Sequence, residues 1–283
     1  MKRKIGFIVL ENENGISTGE LLKIRGVSRR LINKLKRTED GISCNGEHIR
    51  TIDNVHTGDA VCIIMEDSKS LEANPLLKVP IVYNDDDVIV FNKPIGMPVH
   101  PSLKHQGDTL GNYFSYLYPD YTFRPINRLD RDTSGLCAIA KNAHSANILQ
   151  RNISKVYYAV VCGKLKDSGV INAPIGRLNE SIIKRVVRED GQEAITEYTI
   201  IKGNSQYTLV RIILKTGKTH QIRVHFSHIG YPLAGDDMYN GDTKDINAQA
   251  LHCGELQFIH PITGNKIYLK SEIRDDMEML LSF

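Results

Sequence analysis

Apolar residues at Leu21, Leu22 and Ile24, then at Leu31, Ile32 and Leu35, recur near the 3.6-residue period of a helix. Gly26-Val27-Ser28 interrupts them, so the pattern predicts two short helices, the second capped by Ser28. Past Asp40-Gly41 the pattern changes to short strand-like runs, Ile42–Cys44 and Val61–Met65, punctuated by turns at Asn45-Gly46 and Thr57-Gly58-Asp59. Two helices and a small sheet make a compact first domain over residues 1–67. Residues 68–79 are polar and read as a linker, and a second domain spans 80–283. It opens with a hairpin, Ile81–Tyr83 and Val88–Phe91 flanking Asn84-Asp85-Asp86-Asp87. Further strands are predicted at Leu136–Ala140, Val156–Cys162, Ile195–Ile201 and Tyr207–Leu214, and helices at Leu110–Leu117, Ala143–Gln150 and His220–His228. Strands and helices mix without regular βαβ alternation, which predicts an α+β fold around a large, mainly antiparallel sheet, preceded by a small α+β domain.

Net charge is only +3, but it is unevenly placed. Residues 1–50 hold 11 Lys/Arg against 6 Asp/Glu, and residues 23–37, KIRGVSRRLINKLKR, hold seven basic and no acidic side chains. Such a stripe is either a solvated helix face or a footprint for phosphates. The five cysteines are scattered, with no CxxC pair, which argues against a zinc ribbon or a disulfide framework and favours a reducing compartment. The apolar run Ile5 to Leu10 is too short for a signal peptide, and no stretch approaches the ~20 apolar residues of a membrane span. These features predict a cytoplasmic protein.

Three segments of the second domain concentrate chemistry. NKPIGMPVHP (92–101) carries three prolines and a glycine, which fix an irregular loop. INRLDRDTSGL (126–136) sets Arg128, Asp130, Arg131 and Asp132 among apolar residues and turns through Thr133-Ser134-Gly135. In TGKTHQIRVHFSHIGYPLAGD (216–236), Ile222, Phe226 and Ile229 form one helical face and His220, Arg223 and Ser227 another. No Walker loop, Rossmann fingerprint or GxSxG elbow is present. His220, His225 and His228 lack metal-ligand spacing, the three aspartates at 85–87 read as a solvated turn, and no metal is expected. Asp130 and Asp132 are too close in sequence to oppose one another across a sugar, as a glycosidase requires.

The set strongly resembles the RluA-type pseudouridine synthase family. INRLDRDTSGL resembles its catalytic-aspartate motif, KPIGMPVHP the loop before it, and KVYYAVVCG (155–163) its base-contacting tyrosine strand. TGKTHQIRVHFSHIGYPLAGD resembles its arginine motif and LHCGELQFIHPITG (251–264) its C-terminal strand segment, all in family order across residues 80–270. VSRRLINKL, ISCNGEHI and VHTGDAV resemble the small S-four-like RNA-binding domain that the family often carries as an appendage. The resemblance implies an enzyme that isomerises uridine in structured RNA without metal or cofactor. Large-subunit ribosomal RNA would be the substrate ahead of transfer RNA, and the enzyme would act as a monomer.

Residue by residue, the resemblance assigns the catalytic carboxylate to Asp130, its charge partner to Arg223, and the tyrosine against the uracil to Tyr157. Arg128 would hold the flipped nucleotide's phosphate or fill the vacated space, and Arg29, Arg30 and Lys34 would meet phosphates from the second helix. The bland alternatives are a turn aspartate, a surface salt bridge and a core tyrosine. One position departs from the family pattern: Asn127 stands where His usually precedes Arg-Leu-Asp. An amide hydrogen-bonds but does not titrate, which rules out a charged imidazole there and leaves a non-catalytic RNA-binding protein as the competing class.

Overall fold

The computed structural model describes residues 2–66, 71–102, 104–179 and 183–282. The first part of the expected linker, residues 68–70, lies outside these. The N-terminal unit runs β1 (Lys2–Ile8), α1 (Thr18–Ile24), α2 (Arg29–Leu35), β2 (Ile42–Cys44), β3 (Glu47–His48) and β4 (Ala60–Glu66). Its sheet has the order β1-β4-β2-β3. Both helices start on the caps their sequence offers: Ser17 Oγ accepts from Glu20 N–H, and Ser28 Oγ accepts from Leu31 N–H at 3.2 Å. Leu21, Leu22, Leu31, Ile32 and Leu35 close a core on Ile5, Ile42, Val61 and Ile63. The run at Ile5, considered above only as a leader, is the strand β1, paired in antiparallel register with β4.

The larger unit comprises β5 (Ile81–Asn84), β6 (Val88–Lys93), α3 (Leu110–Leu117), β7 (Ser134–Ala140), α4 (Ala143–Asn152), β8 (Ser154–Cys162) and β9 (Gly169–Asn172). There follow β10 (Ile175–Arg177), β11 (Arg185–Val187), β12 (Ile195–Gly203), β13 (Tyr207–Leu214), α5 (Gln221–His228), β14 (Leu251–Ile259), β15 (Lys266–Lys270) and α6 (Asp275–Met279). Nine strands form one sheet in the order β5-β6-β7-β14-β8-β13-β12-β9, with β15 on β14, and β10–β11 make a separate hairpin. Every pairing is antiparallel except β7 with β14. The fold is therefore the expected α+β type, with mainly antiparallel sheets. The middle strands β6, β7 and β8 are covered on both faces, which is why they read as continuous apolar runs rather than alternating ones. At the one parallel contact, Gly135 adopts φ +107 and faces Cys253, whose carbonyl oxygen would lie 2.3 Å from any Cβ added there. Only glycine fits that approach.

The two units touch. Arg3 of β1 donates Nε and Nη2 to Asp87 at 3.1 and 2.7 Å, Asn147 Nδ2 donates to Gly26 O at 2.9 Å, and the Phe7 ring meets the His144 edge. The turn at Asp85-Asp86-Asp87 is thus not simply solvated, as expected above: Asp86 is exposed, but Asp87 is buried under the N-terminal unit against Arg3. No described helix is long and apolar enough to cross a membrane.

Candidate active site

A cleft of about 850 Å³ opens between the loop 126–131, the loop around Pro98–His100, the start of β8 and the segment 213–220 that leads from β13 into α5. Its size suits a nucleotide-sized guest. Asp130 lines it, held by a turn in which Thr133 N–H donates to Asp130 O. The buried Lys93, at the end of β6, underpins this loop: its Nζ donates to Pro94 O, Met97 O and Arg131 O at 2.7, 2.8 and 3.0 Å. One ammonium therefore clamps both irregular loops together. Burial pulls the Lys93 pKa down to about 8, against the opposing pull of Cys137, Asp132 and Asp130.

Arg223 reaches Asp130 from α5. Its Nη1 donates to Asp130 Oδ2 at 3.2 Å, while Nε and Nη2 form a paired fork on Asp236, both at 2.7 Å. The Arg223 side chain is 7% exposed and that of Asp236 is 0%, so this is a buried pair and not a surface bridge. Burial opposes the charge on Arg223, but Asp236, with Asp130 behind it, keeps the guanidinium pKa above its ordinary value. Gln221 anchors the start of α5. Its amide donates to Ile195 O and Thr196 Oγ1 and accepts from Lys218 N–H and Thr216 Oγ1. His225, one of the three histidines weighed as ligands, is a core residue bonded to Thr196 Oγ1 and Ala173 O.

Tyr157 lies on β8, opposite Ile212 and Cys253 in the sheet, with its side chain on the cleft wall. Burial raises its pKa well above the ordinary phenol value, so the hydroxyl is neutral throughout the working pH range. Arg128 is exposed on the same wall. The rim adds Lys155 and Lys218, which the sequence reading did not single out and which favour phosphate at the mouth, together with Arg131 and Lys215, which are paired with Asp132 and Glu197. Asp132 does not line the cleft and is paired with its neighbour Arg131 at 2.9 Å. Asp130 and Tyr157 line this cleft, and together with Arg223 they line a smaller adjoining cavity of about 70 Å³. Arg29, Arg30 and Lys34 line a separate groove on α2 with Arg37, and Lys34 Nζ is bonded to Glu66 O.

Asn127 is buried beside the cleft, and its amide works as a peptide group would: Nδ2 donates to Leu136 O at 3.0 Å and Oδ1 accepts from Ala138 N–H at 2.8 Å. It ties the Asp130 loop to β7 without needing a charge. Two residues missed in the sequence reading, Lys93 and Asp236, support others; Asp236 closes the arginine motif, and a buried-pair requirement for Arg223 was the signal available. Among the described residues, one group has ligand-like spacing, Asp85, Asp87 and His260. Its carboxylates are already occupied, Asp87 by Arg3 and Asn142, Asp85 by Tyr83 and the amides of Asp87 and Val88, and none of the three lines the cleft.

The family model for RNA pseudouridylate synthase matches residues 87–228. The uncharacterized RNA pseudouridine synthase YjbO of Bacillus subtilis (strain 168) is 36% identical over 269 residues, covering 90% of this chain and 95% of its own. The ribosomal large subunit pseudouridine synthase D of Pseudomonas aeruginosa is 36% identical over 271 residues, covering 86% of this chain and 84% of its own. Among solved structures, human RNA pseudouridylate synthase domain containing 1 shares the fold, with a TM-score of 0.57 at 24% identity over 71% of this chain and 86% of that one. The chain belongs to the RluA-type RNA pseudouridine synthase family, and its activity is the isomerisation of uridine in RNA to pseudouridine.

Proposed function

We propose that the substrate is large-subunit ribosomal RNA and that Asp130 is the carboxylate that starts the reaction. The observation that carries the second part is the 3.2 Å contact of Arg223 with Asp130, a residue of the cleft that Tyr157 also lines. Pseudouridylation breaks the bond from uracil N1 to ribose C1′, turns the base, joins C5 to C1′, releases the proton from C5 and places one on N1, with no net change in composition. No electrons, phosphoryl groups or water are consumed. A single anionic oxygen acting as nucleophile or general base suffices to begin it. Arg223 holds the carboxylate through Oδ2 and balances its charge, and Tyr157 presents a neutral phenol to the base and relays the C5 proton. The target must be flipped out of its stack to reach the cleft. Arg128 at the wall would take the flipped nucleotide's phosphate or the space it leaves.

The choice of ribosomal RNA is supported by relatives such as the Pseudomonas aeruginosa protein, whose names specify the large subunit; transfer RNA is the second reading. Residues 1–67 are read as an S-four-like RNA-binding domain joined through 68–79 to a catalytic domain, 80–283. Arg29, Arg30 and Lys34 would be its phosphate contacts, and the enzyme would act as a cytoplasmic monomer without cofactor or metal. Two measurements test the reading. Asp130→Asn is expected to abolish tritium release from RNA labelled at uridine C5 while RNA affinity changes less than about threefold; release near the wild-type rate rejects Asp130. Pseudouridine mapping in a deletion strain is expected to show a missing site in large-subunit RNA, and a loss confined to transfer RNA rejects the ribosomal assignment.

A further inference from the structure

His220 stands immediately before α5 with φ 58 and ψ 17, the left-handed region, and makes no side-chain cap. That backbone state is costly for a residue with a Cβ, and a glycine would adopt it freely. A reason must lie in the side chain, which is 7% exposed and turned into the cleft. Its Nδ1 lies 2.8 Å from Tyr239 Oη. Tyr239 Oη already accepts the backbone N–H of Arg185 at 3.0 Å, which leaves its own proton available to Nδ1. With Nδ1 occupied as acceptor, the ring hydrogen of neutral histidine belongs on Nε2. Nε2 lies 3.7 Å from Asp130 Oδ2, the oxygen that also receives Arg223 Nη1. Neither contact touches Oδ1.

We propose that His220 is a positioning residue for the isomerisation: a neutral imidazole whose tautomer is set by Tyr239, and whose Nε2–H closes on Asp130 Oδ2 as substrate fills the cleft, leaving Oδ1 as the reacting oxygen. The proposal rests on the reading of Asp130 as the catalytic carboxylate. Electrostatics agree with a neutral ring. Burial lowers the His220 pKa, Arg223 and Arg185 push the same way, and Asp130 and Asp236 oppose them. Arg223, stacked against the Tyr239 ring at 4.9 Å, already supplies the positive charge beside the carboxylate. What histidine adds is direction. Two donors on one oxygen stop the carboxylate from rotating, and Tyr239 stops the imidazole from presenting a bare nitrogen to an anion.

The test is a cycle of His220→Gly and Tyr239→Phe on the full chain. It uses bulk RNA labelled at uridine C5 and taken from a deletion strain, with enzyme in excess. Glycine relieves the backbone while deleting the imidazole, so unfolding temperature is expected to hold or rise. The single-turnover rate is expected to fall about 10- to 100-fold, the size of one hydrogen bond lost at a charged group, with half-saturation for RNA within about threefold. Tyr239→Phe is expected to slow the wild type about 3- to 10-fold and to have no further effect beside His220→Gly, because it acts through that ring. The imidazole ¹⁵N resonances of His220 are expected to show hydrogen on Nε2. A His220→Gly rate equal to wild type overturns the proposal, as does hydrogen on Nδ1 or an equal Tyr239→Phe effect in both backgrounds. Asp130→Asn run alongside separates the two failures. An inactive Asp130→Asn beside a fully active His220→Gly removes His220 alone, and an active Asp130→Asn removes both readings.

Discussion

Arg223 faces two carboxylates, and the structure assigns them opposite duties that mutation separates. Asp236 takes both members of the fork at 2.7 Å with its side chain wholly buried, whereas Asp130 takes one 3.2 Å contact with its side chain 33% exposed. Replacing one partner of a buried ion pair strands the other charge and costs about 3–5 kcal/mol. Asp236→Asn keeps one acceptor oxygen but turns an amide N–H₂ toward the guanidinium, so about 3 kcal/mol is expected. For a chain of this size that lowers the unfolding midpoint by about 6–12 °C. Asp130→Asn removes a half-wet contact and should cost less than about 1 kcal/mol, or under about 4 °C. Thermal unfolding followed by circular dichroism gives the midpoints, and C5-tritium release gives the activities. Asp130→Asn should be stable and inactive, and Asp236→Asn unstable with a partial loss of rate as Arg223 falls back on Asp130. Equal midpoint losses in the two variants would refute the division of duties.

Three further outcomes are expected. Lys93 holds its proton to 10.5 when unfolded but only to about 8 when folded, so over that interval the unfolded chain binds more protons and the Lys93 contribution to stability rises with pH. Above about 8, however, a neutral amine has two hydrogens for three carbonyls, so tritium release should decline there. Lys93→Met should be slow at all pH values and lack that decline; an identical alkaline limb in the variant excludes Lys93 as its source. Gly135→Ala drives a Cβ into Cys253 O at the parallel contact and should abolish cooperative unfolding, and a midpoint within about 2 °C of wild type would contradict the approach described. Arg29→Gln with Arg30→Gln should weaken RNA binding and lower the slope of log K against log salt by roughly 1.5, and an unchanged slope means that α2 does not meet phosphate.

Local periodicity carried most of the architecture, because each helix and hairpin announces itself over a few residues. Ser28 as a cap, the hairpin around Asn84–Asp87 and the helix from Gln221 are all short-range statements. Strand order is not: that β14 inserts between β7 and β8, parallel to one and antiparallel to the other, depends on residues more than ninety positions apart. The short hairpin β10–β11 was invisible, since three-residue strands leave too brief an alternation to detect. In the site, the motif residues were legible and their supports were not. Lys93 read as part of a proline-rich loop, and nothing local said that its ammonium would span to Arg131. Arg223 read as lying on a polar helical face, whereas Asp236 makes that face internal by neutralising it. Asp87 failed for the same reason in reverse, since Arg3 arrives from the other unit to cover it.

The stitch made by Asn127 rests on geometry. Its seat demands a side chain with hydrogen at one corner and a lone pair at another, set to match Leu136 O and Ala138 N–H. The seat therefore asks for one donor and one acceptor and not for a charge, so the link between the Asp130 loop and β7 holds with no group that titrates.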